Sequence, residues 1–328
     1  MRQFQKILHE LKEVVSNHHP GDSLKAPASI PTLEINGIRV RYVQAGMENP
    51  TTTPPVVLLH GFGGFFMDWP RVMAPIARHT RVYAIDLPGW GFSEPNLRSE
   101  SMEDDARVLN AFLKKLDLKD VILCGISYGA SVAWAAASLR MPRVKRAVLL
   151  NPMPPHPLRF LHSPIYRAIL TTTMWPKAAM LAHRFMTKGQ YKLVCRENLL
   201  NHRLLDTFYL ELAYMVTKQP KMPYILHAFG RGARTVDWNA WEHRLAGIRI
   251  PVSILQGLED RIFSMESALF LHRLIPTSEL IQVPECGHAM VFDQHRKVSD
   301  FIIKLLSQKT ETPKETHELP QETLRKNA

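Results

Sequence analysis

The chain has 328 residues, of which 45% are hydrophobic and 22% charged, enough to bury the core of a single α/β domain carrying an insertion and too apolar for a generally disordered chain. Its three cysteines, Cys124, Cys195 and Cys286, are too few and too scattered for a disulfide framework or a zinc site, and no run approaches the roughly 20 apolar residues that span a bilayer. The net charge of +11 is concentrated, because residues 152–236 carry 12 basic side chains against 3 acidic ones.

In chain order, Phe4, Ile7, Leu8, Leu11, Val14 and Val15 recur at helical spacing. They predict an amphipathic helix over 1–17 that packs on the body, with a membrane or partner anchor as the alternative. Gln5, Lys6, His9, Glu10 and Lys12 interrupt what would be the apolar core of a secretory signal. The expectation is a soluble cytoplasmic protein, with peripheral membrane contact as the alternative. After a polar linker to residue 31, two alternating runs flank Asn36-Gly37 and predict a β-hairpin with a type I′ turn.

From there apolar runs alternate with helical segments: strands at 56–59, 81–87, 120–124 and 144–150, helices at 70–79 and 102–116. Alternation of this kind argues for a mostly parallel sheet with helices on both faces. It is interrupted over 152–236, where no convincing strand occurs and prolines 164, 176, 220 and 223 divide several helices. Strands resume at 252–257 and 279–283, and residues 309–328 are polar and charged, the composition of a disordered tail.

Gly125-Ile126-Ser127-Tyr128-Gly129 joins one of these buried strands to a helix built of small residues. A turn that sharp pushes Ser127 toward sparsely populated φ/ψ and leaves no room for side chains two residues to either side, so its hydroxyl stands above the carboxyl edge of the sheet. Such a hydroxyl needs a base, and the base needs an orienting acid. The acidic pair Glu259-Asp260 follows one strand and His288 follows the last, each at the same edge. His60-Gly61-Phe62-Gly63-Gly64 follows the strand at 56–59, and there the N–H groups of Phe62 and Tyr128 are candidates for an oxyanion hole. His60 is expected to brace this loop, and Cys124 and Cys286 to be buried or loop thiols.

These residues, together with Trp69 and the loop Asp86-Leu87-Pro88-Gly89-Trp90-Gly91-Phe92-Ser93, make the chain resemble an α/β-hydrolase fold serine hydrolase over about residues 32–306. The resemblance implies an eight-stranded, mostly parallel α/β-hydrolase sheet, with the core at 32–151 and 237–308 and a helical cap at 152–236. It implies Ser127 as nucleophile, His288 as general base and Asp260 as orienting acid, with no metal or cofactor. Serine rather than aspartate at 127 argues against the dehalogenase and epoxide hydrolase branches.

The expected reaction is cleavage of a carboxylic ester or thioester with an apolar acyl part. The alternatives are C–C or amide hydrolysis or acyl transfer by the same residues, and a non-catalytic ligand-binding member of the fold. The basic cap suggests an anionic lipid surface, an acidic acyl-carrier protein or a carboxylate substrate. No recognised nucleic-acid motif accompanies the charge. Met and aromatic side chains of the cap are read as packing, a few of them lining an acyl pocket.

Overall fold

In the computed structural model, which describes residues 2–18, 24–96 and 101–308, Asn36 and Gly37 take φ of 52° and 82°. Two successive positive φ values make the type I′ turn whose twist suits antiparallel strands. It joins β1 (Thr32–Ile35) to β2 (Ile38–Ala45), which pairs antiparallel with β4 (Val82–Ile85). The rest of the sheet is parallel: β3 (Val56–Leu59), β5 (Val121–Ile126), β6 (Val144–Leu150), β7 (Val252–Gly257) and β8 (Ser278–Val283), in the spatial order β1-β2-β4-β3-β5-β6-β7-β8. Every residue of β3, β4, β5 and β7 is buried, and strands covered on both faces read as continuous apolar runs for that reason.

Helices α1 (Arg2–Ser16), α2 (Pro70–Ile76), α3 (Met102–Lys115) and α4 (Tyr128–Ser138) accompany the first strands. Seven more lie between β6 and β7: α5 (Pro157–Phe160), α6 (Pro164–Thr173), α7 (Pro176–Phe185), α8 (Lys188–Glu197), α9 (Thr207–Thr217), α10 (Met222–Thr235) and α11 (Trp238–Ala246). α12 (Met265–Leu274) follows β7, and α13 (Met290–Asp293) and α14 (His295–Leu306) follow β8. One face of the sheet is covered around Ile7, Leu11, Trp69, Ile76 and Ile302, the other around Phe112, Trp134, Trp241 and Leu271. Trp134 of α4 meets Trp241 of α11 edge to face at 5.1 Å.

α1 buries Phe4, Ile7 and Leu11 and packs on β2 and α9, so its apolar stripe is spent on the body. The prolines of the inserted segment start helices more than they break them. Pro164, Pro176 and Pro223 stand in the first turns of α6, α7 and α10, where a missing N–H costs nothing. The helix expected over 70–79 stops at Ile76, because the next residues close with tighter bonds such as Arg78 N–H to Pro75 O at 3.2 Å. Among the described residues no helix is long and apolar enough to cross a membrane. The tail expected at 309–328 lies outside the described residues.

Candidate active site

Ser127 stands between β5 and α4 with φ 53° and ψ −115°, a strained conformation for a residue with a side chain, of the order of 1–3 kcal/mol. The surroundings hold it there. A Cβ on Gly125 would fall 2.2 Å from the Gly129 carbonyl oxygen, and one on Gly129 would fall 2.2 Å from that of Leu59. Only glycine at both positions lets α4 begin this close to β3 and β5. Ser127 N–H donates to Leu150 O at 3.0 Å, and Ser127 O accepts from Ser131 and Met153 N–H at 3.2 Å each.

His288 Nδ1 meets Asp260 Oδ2 at 2.8 Å, and the Asp260 side chain is fully buried. The other carboxylate oxygen of Asp260 accepts from the N–H groups of Ile262 at 2.8 Å and Phe263 at 3.1 Å, so the turn after β7 orients the acid before it meets the ring. Glu259 points elsewhere: its Oε2 accepts from Cys286 N–H at 2.8 Å and steadies the loop after β8. With Nδ1 occupied, Nε2 is the ring nitrogen left for the cavity that His288 and Ser127 both line. Among the described residues no hydrogen bond joins Ser127 Oγ to His288, and such contacts often tighten only around a substrate.

His60 is wholly buried. Its Nε2 accepts from Leu87 N–H at 3.0 Å, which leaves the proton on Nδ1, 2.8 Å from Gly61 O. Burial holds this imidazole neutral, its pKa lowered to about 4. The Gly61 carbonyl also accepts from Gly64 N–H at 3.1 Å, and a trans peptide carries its N–H opposite its C=O. The Phe62 N–H is thereby turned away from both donors. Gly61 itself abuts the elbow, since a Cβ there would lie 3.3 Å from Ser127 Cβ. Tyr128 N–H, in the first turn of α4, has no acceptor within the helix. The Tyr128 ring is fixed by its hydroxyl donating to Asp105 at 2.7 Å.

Sequence patterns gave no sign of Asn151, because the residue after a buried strand is unremarkable until its neighbours are known. It is fully buried at the end of β6 with φ 42°. Its amide nitrogen donates to Gly287 O and His288 O at 2.8 Å each, and its oxygen accepts from Gly257 N–H at 2.7 Å. One side chain thus ties the loops bearing Asp260 and His288 to the strand beside Ser127.

Ser127 opens into a cavity of about 700 Å³ roofed by the inserted helices. Its wall is mostly aliphatic and aromatic, and among the described residues it includes no lysine or arginine. Polar side chains such as Thr172, His183, Gln190 and Asn198 interrupt it, and the one carboxylic acid among these lining residues is Asp68, which receives the Tyr209 hydroxyl at 2.7 Å and whose pKa burial raises to about 7. The cap is pinned to the core by Lys221, whose ammonium donates to Gly91 O at 2.9 Å and Ser93 O at 2.5 Å. Part of the cationic excess is therefore structural. Cys124 and Cys286 are buried, and burial raises both thiols, so both stay protonated. Among the described residues no cluster of metal ligands occurs.

Asp68 makes stability depend on pH in a direction opposite to that of a salt-bridged carboxylate. Its folded pKa of about 7 lies above the ordinary 3.8, so its contribution is fully present below about pH 3.8 and is lost as pH rises through 7. Asp68→Asn should therefore gain in melting temperature relative to the natural protein on going from pH 5 to pH 8.5. A constant difference measured by scanning fluorimetry would show that the carboxyl is ionised throughout.

The sequence profile described as "Alpha/beta hydrolase family" matches residues 56–301. The chain is 25% identical to the AB hydrolase superfamily protein YfhM of Bacillus subtilis over 287 residues, covering 83% of this chain and 95% of that one. It is 29% identical over 264 residues to a 2-hydroxy-6-oxo-2,4-heptadienoate hydrolase of Pseudomonas putida, covering 76% and 88%. The crystal structure of a putative lipase from Acinetobacter baumannii superposes with a TM-score of 0.73 at 20% identity, over 92% of this chain and 95% of that one, a likeness of fold. The matched profile spans the whole run from β3 to α14, with the elbow, the His60 loop and the residues meeting around His288 inside it, and the chain belongs to the alpha/beta hydrolase family.

Proposed function

We propose that this hydrolase cleaves carboxylic esters or thioesters with an apolar acyl part, through an acyl-enzyme on Ser127. Ser127 Oγ adds to the carbonyl carbon as its proton passes to His288 Nε2, and the oxyanion is received by Phe62 and Tyr128 N–H. Collapse breaks the bond to the alcohol or thiol, which takes that proton from His288. Water, deprotonated by the same ring, then releases the acid. Asp260 keeps Nδ1 protonated and stabilises the imidazolium.

The observation that carries the reading is the cavity wall: about 700 Å³ of mostly apolar lining reaching Ser127, with a buried acid and no cation among the described lining residues. Such a site suits an uncharged acyl chain and disfavours a carboxylate, whose desolvation no lysine or arginine among the described lining residues offsets. Cleavage of a C–C bond next to a ketone is the second reading, favoured by the 29% identical relative named for a heptadienoate. Turnover should be measured on p-nitrophenyl esters of graded length beside a 2-hydroxy-6-oxo-dienoate. The ester reading expects kcat/KM to rise with chain length and the dienoate to be the poorer substrate. Turnover of the dienoate with none on any ester would overturn it.

A further inference from the structure

The cap carries large apolar side chains on its outside. Ile165, Trp175, Met180, Leu181, Phe185 and Leu193 are each between 37% and 65% exposed. Their placement is periodic. On α7, Lys177, Met180, Leu181 and Arg184 recur at i, i+3, i+4 and i+7, all exposed, while Ala179 faces inward. α8 repeats the arrangement with Lys192, Leu193 and Arg196 and buries no residue at all. A surface helix normally turns its apolar stripe to the core, and here apolar residues flanked by cations face outward.

This face is also the rim of the cavity, since Ile165, Phe185 and Leu193 are at once exposed and part of the cavity wall. Guanidinium groups lie beside two of the exposed rings, Arg184 at 6.0 Å from Phe185 and Arg234 at 5.9 Å from Trp175. An aromatic that reaches down with a cation held at its level is the pattern of an interfacial anchor. We propose that the α7–α8 face of the cap docks on an anionic lipid bilayer. Apolar side chains enter the boundary between headgroups and acyl chains, and Lys177, Arg184, Lys192 and Arg196 meet lipid phosphates. An acidic carrier protein would match the cations and leave Trp175, Met180 and Leu181 against polar surface. A second copy of the chain would oppose two cationic faces. Docking sets the mouth of the cavity on the membrane; that substrate enters from there rests on the ester reading, while docking itself does not.

Flotation of the whole protein with vesicles of phosphatidylcholine and phosphatidylglycerol in equal parts tests this. Binding is expected, weakened by salt and at least about tenfold weaker on pure phosphatidylcholine. Trp175→Ser/Met180→Ser/Leu181→Ser and, separately, Lys177→Glu/Arg184→Glu should each cut the bound fraction about tenfold, with kcat/KM on p-nitrophenyl acetate within about twofold of the natural protein. None of these five residues lines the cavity. Ser127→Ala should float as well as the natural protein, so a failed ester assay leaves the binding result readable. Absence of binding at low salt, binding by either variant as strong as that of the natural protein, or a self-association that the variants dissolve would each overturn the proposal.

Discussion

Replacing Ser127 with alanine should lower kcat on an ester that the natural protein turns over by roughly 10⁴- to 10⁶-fold, the loss seen when the nucleophile of such a unit is removed. The residual rate would come from binding and the oxyanion donors alone. The elbow itself should survive, because its geometry is imposed by the close approach of Gly125 and Gly129 to neighbouring backbone and not by the hydroxyl. Melting temperature is therefore expected to stay within a few degrees. A fluorophosphonate should add one mass equivalent to the natural protein and none to the variant. Labelling that persists on Ser127→Ala, or activity above about a hundredth of the original, would remove Ser127 from the reaction.

Asp260→Asn should cost about 10⁴ in kcat with little change in KM, for a reason visible in its hydrogen bonds. Ile262 and Phe263 N–H both point at Oδ1, so the asparagine oxygen is drawn to them and its amide is left facing His288 Nδ1. That nitrogen must then accept, the proton moves to Nε2, and the ring can no longer take one from serine. Glu259→Gln is the control. Its partner is Cys286 N–H, which an amide oxygen still satisfies, so activity should stay within about threefold. Equal losses in the two variants would mean that the acid had been misassigned between neighbours.

The elbow was legible because its causes are local. A strand rich in Val, Ile and Leu, two glycines and a serine in five residues dictate a turn through steric exclusion, and the structure shows the collisions those glycines avoid. The hairpin at Asn36-Gly37 and the type of nearly every strand were legible for the same reason. The exposed face of the cap was not. Met180 and Phe185 read as packing residues, since a helical stripe looks the same from within the chain whether it meets a core or water. Asn151 and Asp68 left no trace either, because their roles consist of partners more than 100 residues away, Gly257 and Gly287 for the one and Tyr209 for the other.

By itself the amino-acid sequence determined the order of strands and helices, the strained serine, the glycine loop beside it and the presence of an acid and a histidine past the right strands, since each follows from backbone sterics and burial over a few residues. Tertiary structure alone decided that Glu259 turns to Cys286 N–H, that the cavity wall lacks a lysine or arginine among its described residues, and that the cationic cap shows apolar side chains to the outside. Those depend on how distant segments pack and which side of a helix is left uncovered, and no short stretch of chain carries that information.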